Sequence, residues 1–177
     1  MTETFSPQQL EKQGKDAYAQ ADYEAAAQAF DQAAAAYAAA GDAILAAEMK
    51  NNQAVALLQA KQAQAALEAL TGSDAVFAAA GDLRRQGMAL ANQAAALEAL
   101  HRRDEALACY QRSADILERA GASDLRADVM RAAAALQVRR GKMTDAVITM
   151  QSGLMGLEKP TLKQRILKKL LFMRLWR

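Results

Sequence analysis

The sequence predicts an all-α protein: four helical hairpins stacked in a row, then a separate basic amphipathic helix. Three observations predict it. A pattern centred on Asp22-Tyr23-Glu24-Ala25-Ala26 recurs in phase every forty residues, with Ala26, Ala66, Ala106 and Ala146 each followed four residues later by Phe30, Leu70, Tyr110 or Met150 and three later again by Ala33, Ser73, Ser113 or Gly153. A fixed period of this length is the signature of a stacked repeat protein. The composition is 53% hydrophobic with only 5% aromatic residues and is rich in alanine, the best helix former. Stop-and-cap signals also recur on the same period: Ala40-Gly41-Asp42, Ala80-Gly81-Asp82 and the weaker Ala120-Gly121.

The elements follow in order. Residues 1–6 read as a frayed start. Ser6-Pro7 supplies an N-cap and a proline at the first helical position, where its missing N–H costs nothing. Helices are expected over about 7–20 and 23–40. Gly41 suits a left-handed C′ position and Asp42 caps the next helix. The second hairpin takes 43–60 and 63–80, with a kink expected at Thr71-Gly72-Ser73, because an interior glycine costs about 1 kcal/mol. The third takes 83–100 and 103–120. The fourth takes 124–140, capped by Ser123 or Asp124, and a last helix to about 157, broken from it by Gly141 and capped by Thr144. The repeats thus fall at about 7–40, 41–80, 81–120 and 121–157. Ala-Ala-Leu-Glu-Ala-Leu at 65–70 and 95–100 is thirty apart and out of phase, and reflects composition alone.

Residues 158–177 stand apart. The whole chain carries 22 Lys/Arg and 20 Asp/Glu, and segment 161–177 holds six of those cations and none of the acids, leaving about −4 on 1–160 and +6 on the tail. After Pro160, Thr161 begins a helix on which Leu162, Ile166, Leu167, Leu170 and Leu171 fill one half. Gln164, Arg165, Lys168 and Lys169 fill the other, and beyond Leu171 the sorting fails, with Phe172, Leu175 and Trp176 on the basic side. Such a helix can seal the end of the array, lie on an anionic membrane or in a partner's groove, or fold into the chain's own groove through Leu162, Ile166 and Leu170.

Chemistry-bearing residues are sparse. One cysteine excludes an intramolecular disulfide. Cys109 aligns with Ala29, Ala69 and Thr149 and reads as a small buried residue, and the single histidine, His101, falls in a turn. Together they cannot form a metal site of usual spacing, and no phosphate loop follows a strand. Arg102-Arg103 and Arg139-Arg140 lie near helix ends, where cations complement the dipole. The reading is of a non-enzyme with no cofactor. The N-terminus is polar, without the pattern of a signal peptide, and the tail's longest apolar run, Leu170–Met173, is too short to span a bilayer, so the expected compartment is the cytoplasm.

The repeat resembles the tetratricopeptide repeat. Asp22-Tyr23-Glu24-Ala25-Ala26, with Phe30 and Ala33, is similar to the turn and second helix of that motif, and Gly14, Ala54, Ala94 and Ala134 stand where its first helix takes a small residue. The resemblance covers about 7–157. The forty-residue period is similar to the longer repeats of kinesin light chains and Pins-type polarity adaptors. It implies a right-handed superhelix and a protein–protein interaction module, an adaptor or assembly subunit. The first helices of the hairpins would line a concave groove for a protein or peptide partner. Carried over by phase, that groove would include Gln8, Glu11, Lys12, Lys15, Asn51, Asn52, Val55, Gln59, Met88, Asn92, Asp128, Arg131 and Arg139. In the family, an asparagine at the phase of Asn52 and Asn92 often bonds a ligand's backbone; holding neighbouring helices together is the other use of such an amide. The family's carboxylate clamp is missing, since its basic positions fall on Glu11, Met88 and Asn92, and the mixed charges leave the groove without a dominant sign. The runner-up role is a peripheral membrane tether through 161–177. Nucleic-acid binding ranks below both, because the array has no basic stripe.

Overall fold

The computed structural model describes residues 5–155, 157, 160–162, 164–167 and 169. Their secondary structure is helical, with no strand among them. The helices are α1 (Pro7–Ala19), α2 (Tyr23–Ala39), α3 (Ala43–Gln59), α4 (Ala63–Ala69), α5 (Ser73–Ala79), α6 (Leu83–Ala99), α7 (Arg103–Arg119), α8 (Ser123–Arg139) and α9 (Met143–Met155). Each packs mainly on its neighbours in sequence, with further contacts of α3 with α5 and α6, α4 with α6, and α6 with α8.

One turn geometry repeats throughout. Residues 21, 41, 61, 81, 101, 121 and 141 all have positive φ, at intervals of twenty. Around each, the following N–H reaches the carbonyl five residues back (Asp22 to Ala17, Asp42 to Tyr37, Lys142 to Gln137), and the residue itself reaches the carbonyl three back. This pair of bonds is the Schellman ending of a helix. The residue after the left-handed one is already the N-cap of the next helix. Asp22, Asp42 and Asp82 use their carboxylates there, accepting from the N–H of Ala25, Leu45 and Arg85. Between the hairpins the left-handed position is glycine; within the first three hairpins it is Ala21, Lys61 and His101.

Three local expectations are corrected. The helix expected over 63–80 is broken rather than kinked: Gly72 adopts φ +81° and separates α4 from α5. Neither Ser123 nor Asp124 caps α8; the turn's fixed length places Ala122 at the cap and makes Ser123 the first helical residue. Thr144 does not cap α9 either, since the same turn at Gly141 starts that helix at Met143. At the start, Ser6 and Gln9 form a reciprocal capping box, with Pro7 at the first helical position.

The core follows the forty-residue phase. Ala26, Ala66, Ala106 and Ala146 are buried, as are Phe30, Leu70 and Tyr110, while Met150 at the end is half-buried. Ala54, Ala94 and Ala134 are buried opposite them, and at Gly14 an added Cβ would lie 2.7 Å from the Phe30 ring. Small residues on first helices thus receive large ones from second helices, the complementarity on which close-packed interiors depend.

Candidate partner groove

The first helices of the successive hairpins, α1, α3, α6 and α8, line a run of four clefts along one side of the array. The clefts share walls. One of about 220 Å³ between Lys15, Tyr18, Phe30, Asn52 and Val55 meets a second at Asn52. That second cleft, of about 390 Å³, is bounded by Glu48, Asn51, Phe77, Asp82, Arg84, Arg85 and Met88. Met88 is shared with a third, of about 310 Å³, whose walls include Ala91, Asn92, Leu125, Asp128 and Val129. Ala95, Tyr110 and Ala132 carry it into a fourth, which ends at Glu98, Ala135 and Arg139.

The floor is apolar and the rims are polar. Alanines at 91, 95, 132 and 135 keep it open, since any longer side chain there would fill the space between helices. Most charged groups along it are paired with one another, the exposed Arg84 being the exception among the described residues. Lys15 meets Glu11 at 2.5 Å, Arg85 lies 3.0 Å from both Glu48 and Asp82, and Arg131 lies 3.1 Å from Asp128. Arg139 pairs with Glu98, whose other oxygen accepts a hydrogen bond from the Tyr110 hydroxyl at 3.2 Å. Glu11 also accepts from the Tyr37 hydroxyl at 2.9 Å. The Lys15 hydrogen bond, with help from Tyr37, holds the Glu11 carboxyl below its ordinary value of 4.5. Burial, with Glu98 adjoining, pushes the Tyr110 hydroxyl well above its ordinary value.

The sequence-predicted residues divide into three groups. Lys15, Asn52, Val55, Met88, Asn92, Asp128 and Arg139 line the clefts. Asn51 also borders one, but it is buried, and its carbonyl oxygen accepts from the Asn92 amide at 3.0 Å, tying α3 to α6. Asn92 is therefore engaged inside the protein on one donor, which leaves Asn52 as the half-buried amide open to the groove. Gln8, Lys12, Gln59 and Arg131 are exposed, Glu11 is half-buried, and none of the five lines these four clefts.

Sequence reasoning missed Ala91, Ala95, Ala132, Ala135, Tyr18 and Arg84. The phase itself held the signal for the alanines: Ala95 and Ala135 share the register of Lys15 and Val55, and Ala132 shares that of Asn52 and Asn92. Alanine carries no recognition chemistry, although its smallness shapes the groove.

Of the tail residues singled out, Leu162, Arg165, Ile166, Leu167 and Lys169 are described, and all are exposed. Lys168, Leu170, Leu171 and Trp176 lie outside the described residues. Thr161 and Gln164 form a capping box, the Thr161 N–H donating to Gln164 Oε1 at 2.7 Å. Leu162, Ile166 and Leu167 are exposed, whereas Leu157 is buried.

Cys109 is buried as expected, and burial pushes its thiol above the ordinary value, so it is held as the unreactive thiol. His101 stands in a left-handed turn. Among the described residues no group of histidine, cysteine or carboxylate side chains is placed to hold a metal ion, and no helix is long and apolar enough to cross a membrane. No protein-family model matches the chain, and no curated protein is significantly similar to it.

Proposed function

We propose that this chain is a non-catalytic protein–protein interaction module of the tetratricopeptide type, an adaptor or assembly subunit that takes a partner segment into its groove. The observation that supports this reading is the continuity of the four clefts from Lys15 to Arg139. An extended or helical peptide needs an unbroken path, apolar depressions for its side chains and a polar group for its backbone. Met88, Val129 and Leu125 supply the depressions, and Asn52, offering both donor and acceptor, supplies the polar group. Because most rim charges are already paired, recognition rests on shape and apolar contact more than on net charge.

The test is affinity capture with the full chain against two single variants. Ala95→Glu places a long charged side chain where the third and fourth clefts join. Gln28→Glu alters an exposed position on α2, on no groove wall. A partner held by the wild type and by Gln28→Glu, and lost by at least about tenfold on Ala95→Glu, supports the groove, since burying an unpaired charge at an interface costs several kcal/mol. A partner retained equally by all three removes the groove from consideration.

A further inference from the structure

The outward stripe of the second helices changes character at the end of the array. In the first hairpin it reads Glu24, Gln28, Asp31, Ala35; in the second Gln64, Glu68, Thr71, Ala75; in the third Asp104, Ala108, Gln111, Asp115. All twelve residues are exposed. In α9 the same four positions are Thr144, Ile148, Gln151 and Met155, with Ile148 56% and Met155 63% exposed. The acids of the earlier stripes are gone, and two large apolar side chains stand in water.

Continued stacking does not explain this. α8 packs on α7 and still leaves the stripe of α7 exposed, so a further helix added to α9 in that manner would leave Ile148 and Met155 uncovered too. The helix after Pro160 adds Leu162 and Ile166, one turn apart, at 70% and 53% exposure, beside exposed Arg165 and Lys169. Segment 161–177 as a whole has six cations and no acid.

We propose that the outward face of α9 and the basic helix that follows form a docking surface for an anionic lipid bilayer. Apolar side chains such as Ile166 and Ile148 enter the boundary between headgroups and acyl chains, while Arg165 and Lys169 meet the anionic headgroups. Basic amphipathic helices bind in this way, and a cluster of four to eight cations is the usual electrostatic complement of an acidic leaflet. Charge selects this occupant over a symmetric pairing of two such tails, which would bring like charges together. Asp145, in the first turn of α9, lies about a quarter-turn round from the stripe, where it can stay in water. No described residue of α9 or the tail lines the four groove clefts, so this surface and the partner groove can be occupied together.

The experiment is flotation of the full chain with vesicles of phosphatidylcholine alone and with phosphatidylserine added, at about 0.1 and about 1 M salt, over which the screening length falls from about 10 to about 3 Å. Ile166→Asp and Ile148→Asp are read beside Ala108→Asp, the matching outward position of α7. All three sites are exposed, and a melt of each variant confirms folding. The expected result is flotation with the anionic vesicles only, weakened at high salt, reduced about tenfold or more by Ile166→Asp and Ile148→Asp, and unchanged by Ala108→Asp. Absence of flotation with either vesicle overturns the proposal. So does flotation that the two isoleucine variants leave intact. Concentration-dependent self-association that Ile148→Asp abolishes, without flotation, overturns it in favour of a dimer. Groove-dependent capture by Ala95 is unaffected by any of these outcomes, so the two readings fail separately.

Discussion

Replacing Gly87 by alanine is the sharpest test of how closely the helices meet. Gly87 is in α6, and a Cβ added there would lie 2.5 Å from Leu117 Cγ and 2.6 Å from Leu117 Cδ2, on α7. Ordinary carbon–carbon contact is about 3.5–4.0 Å, so roughly 1 Å must be recovered. Leu117 is fully buried, and the space it could turn toward is the third cleft, which it lines. The alternative is to part α6 from α7, which lengthens the 2.7 Å hydrogen bond from Ser113 Oγ to the Gly87 carbonyl. Alanine gains about 1 kcal/mol in helix propensity over glycine. Overpacking of a filled core costs about 1–3 kcal/mol, and loss of the Ser113 bond about 1 kcal/mol more. The net is a destabilisation of about 1–3 kcal/mol, which in a chain of this size lowers the melting midpoint by about 2–12 °C. Circular dichroism melts and urea titrations of Gly87→Ala, Leu117→Ala and the double variant decide the matter. The double variant should be more stable than the sum of the singles implies, by about 1 kcal/mol or more, because the new methyl enters the space that Leu117 vacates. A stabilised Gly87→Ala, or additivity within about 0.5 kcal/mol, would refute the close approach.

Three further outcomes are expected. Gln62 occupies an N-cap position without a capping bond, so Gln62→Asp, matching Asp42 and Asp82, should raise stability by about 1 kcal/mol in a urea titration. Asn92→Leu strands the buried Asn51 oxygen and should cost about 1–3 kcal/mol, whereas the Asn51→Leu, Asn92→Leu double variant should recover part of that loss. Tyr37 and Tyr110 both have hydroxyls pushed above the ordinary value of 10, so the folded state holds these protons more tightly than the unfolded. Their contribution is complete below pH 10 and is lost as pH rises beyond it. Melts between pH 9 and pH 11 should show this decline, and a Tyr37→Phe, Tyr110→Phe double variant should flatten it.

The hairpins were legible because each is written in the same register, so one well-formed copy, Asp22 to Ala33, indexed the degraded ones. Gly41 and Gly81 marked their turns openly. Ala21, Lys61 and His101 did not, since left-handed backbone at a non-glycine residue leaves no compositional trace; only the even spacing of twenty betrays it. The caps expected from Ser123 and Thr144 were misplaced for the same reason: turn length, set by the backbone, overruled side-chain preference. A further core row, Tyr37, Phe77, Leu117 and Leu157, buried throughout, was present in the sequence but obscured by its mixture of residue types. Along the clefts, polar residues such as Asn52 are expected from the phase of the repeat that the sequence resembles. The alanines are not, because the absence of a side chain is visible only when its neighbours are placed. The bond from Asn92 to Asn51 is the helix-holding use open to the Asn92 amide, and nothing in the sequence marked Asn51 as its acceptor.

The uniform turn has a consequence for how this chain tolerates insertions and deletions. Because left-handed positions recur every twenty residues and the core every forty, the backbone arrives at the same place in the pattern after each full hairpin. Removing 81–120 would join Ala80 to Gly121, a glycine already suited to the turn it would inherit, and would leave every remaining alanine and asparagine facing as before. Removing one residue within a helix would instead rotate all positions up to the next turn by about 100°, carrying groove residues toward the core. Length in this molecule is therefore counted in whole hairpins. Shortening the array by one should shorten the groove by one cleft while keeping the outward apolar stripe of α9 at its end, so reach along a partner and attachment at the terminus can be altered independently.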